Sequence, residues 1–75
     1  MARRAKRLVV CVENTGYEAS LERRKIYVAL PDAHADKLGQ IRVIDESGEG
    51  YLYDKTAFLE VTLPLAVRRA VLLAA

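Results

Sequence analysis

The chain of 75 residues has room for one small domain with one modest core. Its 52% hydrophobic and 29% charged residues are typical of globular proteins and exclude a disordered chain. No apolar run is long enough to cross a bilayer, so we expect no membrane association. The single Cys11 cannot form an intramolecular disulfide, which favours a reduced, cytoplasmic setting.

Positive charge is concentrated at the start of the chain. Residues 1–7 carry four bases and no acid, whereas the rest of the chain carries 8 bases and 10 acids. We predict that residues 1–7 form a flexible basic arm.

The first half of the chain contains two strand patterns. Residues 8–13 form an unbroken apolar run, which is typical of a central strand covered on both faces. Residues 25–30 alternate, with Tyr27 and Ala29 facing one way and their neighbours the other. Between them, residues 17–24 are equally compatible with a strand and with a loop that packs Tyr17 and Leu21 onto the core.

A short helical turn follows the second strand. Asp32 can cap a helix over residues 33–38, and Gly39 can end it in a left-handed conformation.

The clearest local pattern is a β-hairpin at residues 41–53. β-branched and aromatic residues flank an acidic, glycine-containing turn, in which Gly48 can adopt a positive φ. We predict a third strand at residues 40–45 and a fourth at 50–54.

The C-terminal part predicts a fifth strand at residues 58–63 and a helix that starts at Pro64. This helix is apolar nearly all round. We expect one broad face to lie on the core, formed by Ala66, Val67, Ala70, Val71, Leu73 and Ala74. The other face needs a cover, and a second copy of the chain is the simplest one. The candidate self-association residues are Leu65, Arg68, Arg69 and Leu72.

Five short strands followed by a helix predict a mainly β fold. We expect a small five-stranded, SH3-like, partly open barrel with a short turn helix and a C-terminal helix. The barrel domain would span residues 8–75, with its helix at 64–75. The alternative is an open antiparallel sheet with the helix across one face.

The stretch Arg42-Val-Ile-Asp-Glu-Ser-Gly-Glu49, the Tyr51-Leu-Tyr53 that follows and Phe58 resemble a family of small uncharacterised bacterial proteins. The resemblance covers roughly residues 13–64. It implies an SH3-like barrel and no catalytic residues. The chain departs from the family pattern at Gly50, where an acid is usual, and at Asp54, where proline is usual.

Two acidic groups could suggest catalysis or metal binding, but neither has suitable spacing. Asp45, Glu46, Glu49 and Asp54 lie at a turn too short to wrap a cation, and are typical of a solvated hairpin tip. Asp32, His34 and Asp36 would fan out on a helical turn. We therefore predict a protein that is not an enzyme and has no catalytic residues, no metal and no cofactor.

Two binding surfaces remain. Tyr51, Tyr53 and Phe58 could line a peptide groove, although in a chain without Trp they are more often needed for the core. Seven cations could bind nucleic acid, but the sheet region carries seven acids that would repel the phosphates. These cations are Arg3, Arg4, Lys6, Arg7, Arg23, Arg24 and Lys25.

The sequence as a whole favours a non-enzymatic protein-interaction module that self-associates, as a homodimer in the simplest case. The alternative is a weak nucleic-acid-binding protein that uses its basic N-terminal arm.

Overall fold

The computed structural model describes residues 6–74; residues 1–5, including Arg3 and Arg4 of the predicted arm, and residue 75 lie outside this part. Its strands and helices are β1 Arg7–Cys11, β2 Ile26–Leu30, α1 Ala33–Lys37, β3 Gln40–Ile44, β4 Gly50–Asp54, β5 Phe58–Glu60 and α2 Leu65–Ala74. A single 3-10 turn at Lys55–Ala57 connects β4 to β5.

The strands form one antiparallel sheet in the order β4-β3-β2-β1-β5. The sheet curls into a half-barrel. It is not a closed barrel, because β4 and β5 lie at opposite edges and do not pair with each other. The predicted mainly β, partly open barrel of five strands, with a turn helix and a C-terminal helix, is confirmed.

The predicted hairpin is formed by β3 and β4, which pair from Gln40 with Asp54 to Ile44 with Gly50. Its turn is fixed by Asp45, whose carboxylate accepts hydrogen bonds from the backbone N–H and the hydroxyl of Ser47. Gly48 has a φ of 85°, the left-handed conformation that the turn was expected to require.

The concave side of the sheet holds the core. Strand residues that alternate in sequence point into it, together with Leu21 from the long loop between β1 and β2. This loop contains no strand, so of the two interpretations of residues 17–24 the loop is correct. The core residues are Val9, Cys11, Leu21, Tyr27, Ala29, Ile41, Val43, Tyr53 and Phe58.

Local signals placed α1 correctly. The Asp32 carboxylate accepts a hydrogen bond from the Ala35 N–H at 3.0 Å, which is the expected N-terminal cap. Gly39 follows with a φ of 71°, so the helix ends where a left-handed residue was predicted.

β1 ends two residues earlier than predicted, at Cys11, and β2, α1 and β3 are each one residue shorter than predicted. Three further boundaries differ from the prediction. Arg7 belongs to β1 rather than to the arm, because its backbone pairs with Ala29. β5 ends at Glu60 rather than at residue 63, although the Val61 N–H still donates to the Leu8 carbonyl of β1 at 2.9 Å. α2 begins one residue after Pro64, whose carbonyl accepts the first helical hydrogen bond from Arg68.

The C-terminal helix α2 lies on the convex side of the sheet. There Val71 and Ala74 face the β2 and β3 residues Ile26, Val28 and Ile44 across a cleft. In the described residues 6–74, no helix is long and apolar enough to span a membrane.

Candidate functional site

Helix α2 leaves an apolar face in solvent, and none of its residues is buried. Leu65 is 61% exposed and Leu73 is 86% exposed, although a helix this apolar would normally hide its large side chains. We call this surface the α2 patch; it consists of Leu65, Ala66, Val67, Ala70 and Leu73, all of which are exposed.

The helix is rotated relative to the predicted orientation. Arg68, Val71 and Leu72 are the half-buried residues and mark the side that faces the sheet. The prediction that Ala66, Val67, Ala70 and Leu73 would lie on the core is therefore wrong; Ala74 is exposed but lines the cleft beside the sheet. The rotation is fixed in part by Arg68, whose guanidinium donates a hydrogen bond of 2.6 Å to the Lys6 carbonyl.

The four predicted self-association residues consequently divide into two pairs. Leu65 lies on the α2 patch, and the exposed Arg69 lies beside it on the helix. Leu72 and Arg68 are half-buried and face the sheet.

Beneath the end of α2 lies a cleft of about 390 Å³. Its floor is apolar and its rim carries charge from Lys25 and Glu46. The lining residues are Lys25, Ile26, Tyr27, Val28, Ile44, Asp45, Glu46, Gly48, Val71 and Ala74.

The charges at this rim neutralise one another. The Lys25 ammonium lies 2.6 Å from a Glu46 carboxylate oxygen, which also accepts a 2.6 Å hydrogen bond from the Tyr27 hydroxyl. The hydrogen bonds from Lys25 and from Tyr27 lower the pKa of Glu46. Burial, followed by the bond to Glu46, raises the pKa of Tyr27. This arrangement stabilises the loop against the hairpin and keeps both charges in their ordinary ionisation states.

Asp45 forms a second network at the base of the hairpin turn. Its buried carboxylate accepts a 2.5 Å hydrogen bond from Tyr53 in addition to those from Ser47. Burial acts to raise the pKa of Asp45, but the hydrogen bonds from Ser47 and Tyr53 outweigh it and leave the pKa below its ordinary value. Burial and the bond to Asp45 raise the pKa of Tyr53 to about 12. Asp45 therefore fixes the hairpin rather than lying free in solvent.

The residues considered for a metal site are engaged elsewhere or separated. Asp32 caps α1 and forms a 2.9 Å ion pair with Arg42, while Asp36 pairs with Lys55 at 3.7 Å. His34 is exposed on α1. Within residues 6–74, no three His, Cys, Asp or Glu side chains are grouped closely enough to hold a metal ion. Cys11 is buried, and burial raises the pKa of its thiol.

The three aromatic residues of the predicted peptide groove do not share one surface. Tyr53 and Phe58 are each only 5% exposed and belong to the core, whereas Tyr51 is 50% exposed. The exposed aromatic neighbour in this region is instead Tyr17, whose ring packs edge-on against Tyr53 with centroids 5.1 Å apart. Tyr17 comes from the long loop, and the sequence placed it only as a residue that could reach the core.

The predicted nucleic-acid cations of the described region lie in two places. Arg7 and Lys25 lie at opposite ends of the β1–β2 pair, roughly 13 Å apart at 3.3 Å per strand residue. Arg7 pairs with Glu60 at 3.3 Å, and Lys25 pairs with Glu22 and Glu46. Lys6, Arg23 and Arg24 are exposed. The described cations therefore form no single basic stripe.

The α2 patch and the cleft could not be predicted from the sequence, because both depend on how the helix is rotated.

Comparisons of the chain with protein-family models, with curated proteins and with solved structures each found no match.

Proposed function

We propose that this protein is a non-enzymatic protein-interaction module that self-associates through the α2 patch. The observation that carries the proposal is the exposure of Leu65, Val67 and Leu73 on a helix whose ten residues include only two charged ones. Exposed large apolar side chains grouped on one element are typical of a protein contact site.

The geometry of the α2 patch suits a second copy of the same helix. Ala66 and Ala70 lie between the larger side chains, so two helices can approach closely along this face. An isologous contact would place the Leu and Val residues of one copy against those of the other. Arg69 lies between Leu65 and Leu73 on the same face, so in this contact its aliphatic stem would pack beside the leucines while the guanidinium reaches solvent.

The energy of this contact favours a reversible assembly. Burying a fully exposed Leu or Val side chain contributes roughly 1.5–3 kcal/mol, and less is gained from Leu65 and Val67, which are 61% and 46% exposed. Association costs an estimated 4–15 kcal/mol in lost freedom, which is of the same size as the summed gain from both copies. We therefore expect a concentration-dependent oligomer rather than a permanent one.

The test is the molar mass in solution, measured by light scattering over a range of concentrations. The variant Leu65→Gln/Leu73→Gln replaces both exposed leucines with polar helix formers, so we expect its mass to be lower than that of the wild type.

A matched control is available in Leu38, which is also 61% exposed but lies at the end of α1. Leu38→Gln should leave the wild-type mass unchanged. The proposal fails if the wild type and the Leu65→Gln/Leu73→Gln variant have the same mass at every concentration.

The proposal also includes a cytoplasmic location and kinship with the small bacterial proteins that the hairpin sequence resembles. The location is supported by the single unpaired cysteine, which suits a reducing compartment. The kinship is supported by the half-barrel, which agrees with the fold that the resemblance implied.

A further inference from the structure

Strand β4 is an edge strand, and its backbone groups alternate between its neighbour β3 and open solvent. The Asp45 N–H donates to the Glu49 carbonyl at 3.2 Å, and the Lys55 N–H donates to the Gly39 carbonyl at 3.0 Å. Because hydrogen-bonded pairs alternate along an antiparallel ladder, Tyr51 and Tyr53 also bond to β3. The N–H and C=O groups of Gly50, Leu52 and Asp54 therefore face away from the sheet.

This edge is apolar at its centre. Leu52 is 41% exposed. Its outward-facing backbone groups lie between those of Gly50 and Asp54, two small residues. At one end, the Arg42 guanidinium crosses β4 over Gly50 and donates to the Gly50 carbonyl at 3.2 Å. A Cβ at position 50 would press on Leu30, whose Cδ1 would lie 3.2 Å away, and would touch the Arg42 Cγ at 3.5 Å. The carbonyl keeps a second lone pair for another donor.

The charges that flank the edge are arranged symmetrically about Leu52. Glu49 precedes it by three residues, and Lys55 follows it by three. If two copies pair antiparallel with Leu52 opposite Leu52, Glu49 of each copy faces Lys55 of the other. Gly50 then lies opposite Asp54, and the half-exposed Tyr51 lies opposite the buried Tyr53.

Other registers are poorer. Centring the two copies on Tyr51 or on Tyr53 leaves an outward-facing residue without a partner and separates Glu49 from Lys55. The register centred on Leu52 alone pairs Gly50, Leu52 and Asp54 completely.

We propose that the β4 edge is a second self-association surface, at which two copies pair their β4 strands antiparallel about Leu52 and extend the sheet across the contact. This surface is separate from the α2 patch and goes beyond the proposed function. With both surfaces intact, the wild type forms assemblies larger than a dimer, and loss of one surface leaves a dimer formed through the other.

The first test uses Leu65→Gln/Leu73→Gln as the background, because it leaves the β4 edge as the remaining surface. Sedimentation equilibrium of this variant shows a dimer at high concentration. Adding Leu52→Pro removes the outward N–H without touching the hydrogen bonds to β3, and yields a monomer. Adding Leu52→Thr instead keeps the N–H and the strand preference, and the dimer persists.

The second test is a charge exchange, which serves if the proline variant does not fold. Glu49→Lys or Lys55→Glu alone weakens the dimer about tenfold, since two cross-strand ion pairs become repulsive. The double exchange restores the affinity. Lys55→Glu also removes the ion pair with Asp36, but it does so in the single and double variants alike.

Three results would overturn the β4 proposal: a background variant that is monomeric at every concentration, equal dimer affinity for Leu52→Pro and Leu52→Thr, or a double exchange as weak as the single ones. Failure of the α2 proposal gives a different result. In that case Leu65→Gln/Leu73→Gln has the wild-type mass, and Leu52→Pro alone yields the monomer.

Discussion

The two sides of the sheet are built from the same five strands, yet they are covered very differently. The concave side holds a core of nine buried residues and is closed by Leu21 from a loop. The convex side is covered by α2, which buries none of its own residues. On that side the helix shields the buried strand residues Leu8 and Val28, but its opposite face stays exposed, and that face is better explained by a contact with another molecule.

The largest expected effect is a difference in unfolding free energy between two truncations, one of a leucine in the concave core and one of a leucine on α2. Leu21→Ala opens a cavity beneath a fully buried side chain and should cost about 3 kcal/mol of unfolding free energy. Leu73→Ala, at a site that is 86% exposed, should change it by less than about 0.5 kcal/mol. Urea unfolding at a concentration where the protein is monomeric measures both. Equal losses for the two variants would contradict the comparison.

A smaller effect is expected from the polar support of the concave side. Asp45→Asn should cost about 1–2 kcal/mol at neutral pH, because the amide cannot accept all the hydrogen bonds that the carboxylate accepts from Ser47 and Tyr53.

The same variant predicts a pH dependence. The pKa of Asp45 in the folded protein lies below its ordinary value of 3.8. Its stabilising effect is therefore complete above 3.8 and is lost as the pH falls through the lowered pKa. Thermal unfolding of the wild type and of Asp45→Asn should show a difference in Tm that becomes smaller as the pH falls through this range. A difference that stays constant would show that the charge of Asp45 is not responsible.

The smallest expected effect is a gain. Arg24 lies at the end of the long loop, two residues before β2. Its φ of 72° is unfavourable for a residue with a side chain. Its N–H donates to the Cys11 carbonyl at 2.7 Å, and the Cys11 N–H donates to the Lys25 carbonyl, so the conformation is held by a bulge. Arg24→Gly should stabilise the protein by about 0.5–1 kcal/mol.

Arg23→Gly is the control for this prediction, because the backbone of Arg23 has no positive φ. It should be neutral or slightly destabilising in the same unfolding measurement. A stabilisation of equal size in both variants would assign the gain to loss of charge rather than to relief of strain.

Most of the fold was predictable because its signals are local. The Asp32 cap, the left-handed Gly39 and the Gly48 turn each act within a few residues, and all three occur as expected. The strand alternation around Tyr27 and Ala29 likewise identified the core side. The end of β5 was not predictable in this way, since the apolar alternation continues to residue 63 while the strand pairing with β1 stops at Glu60.

The candidate surfaces were less predictable because they depend on long-range placement. α2 is apolar nearly all round, so its periodicity does not indicate which face meets the sheet, and the Arg68 bond to the Lys6 carbonyl helps to decide it. Tyr51 and Tyr53 lie on the same side of β4, yet only Tyr53 is reached by Tyr17 and Phe58 and becomes buried. Spacing along the strand cannot distinguish the two.

The most direct test of the central claim is amide hydrogen exchange of α2 at two protein concentrations. If the α2 patch is a self-association surface, protection of the α2 amides should rise with concentration, while protection of the core strands β1 and β2 stays the same. Equal exchange of α2 at low and high concentration would contradict the account.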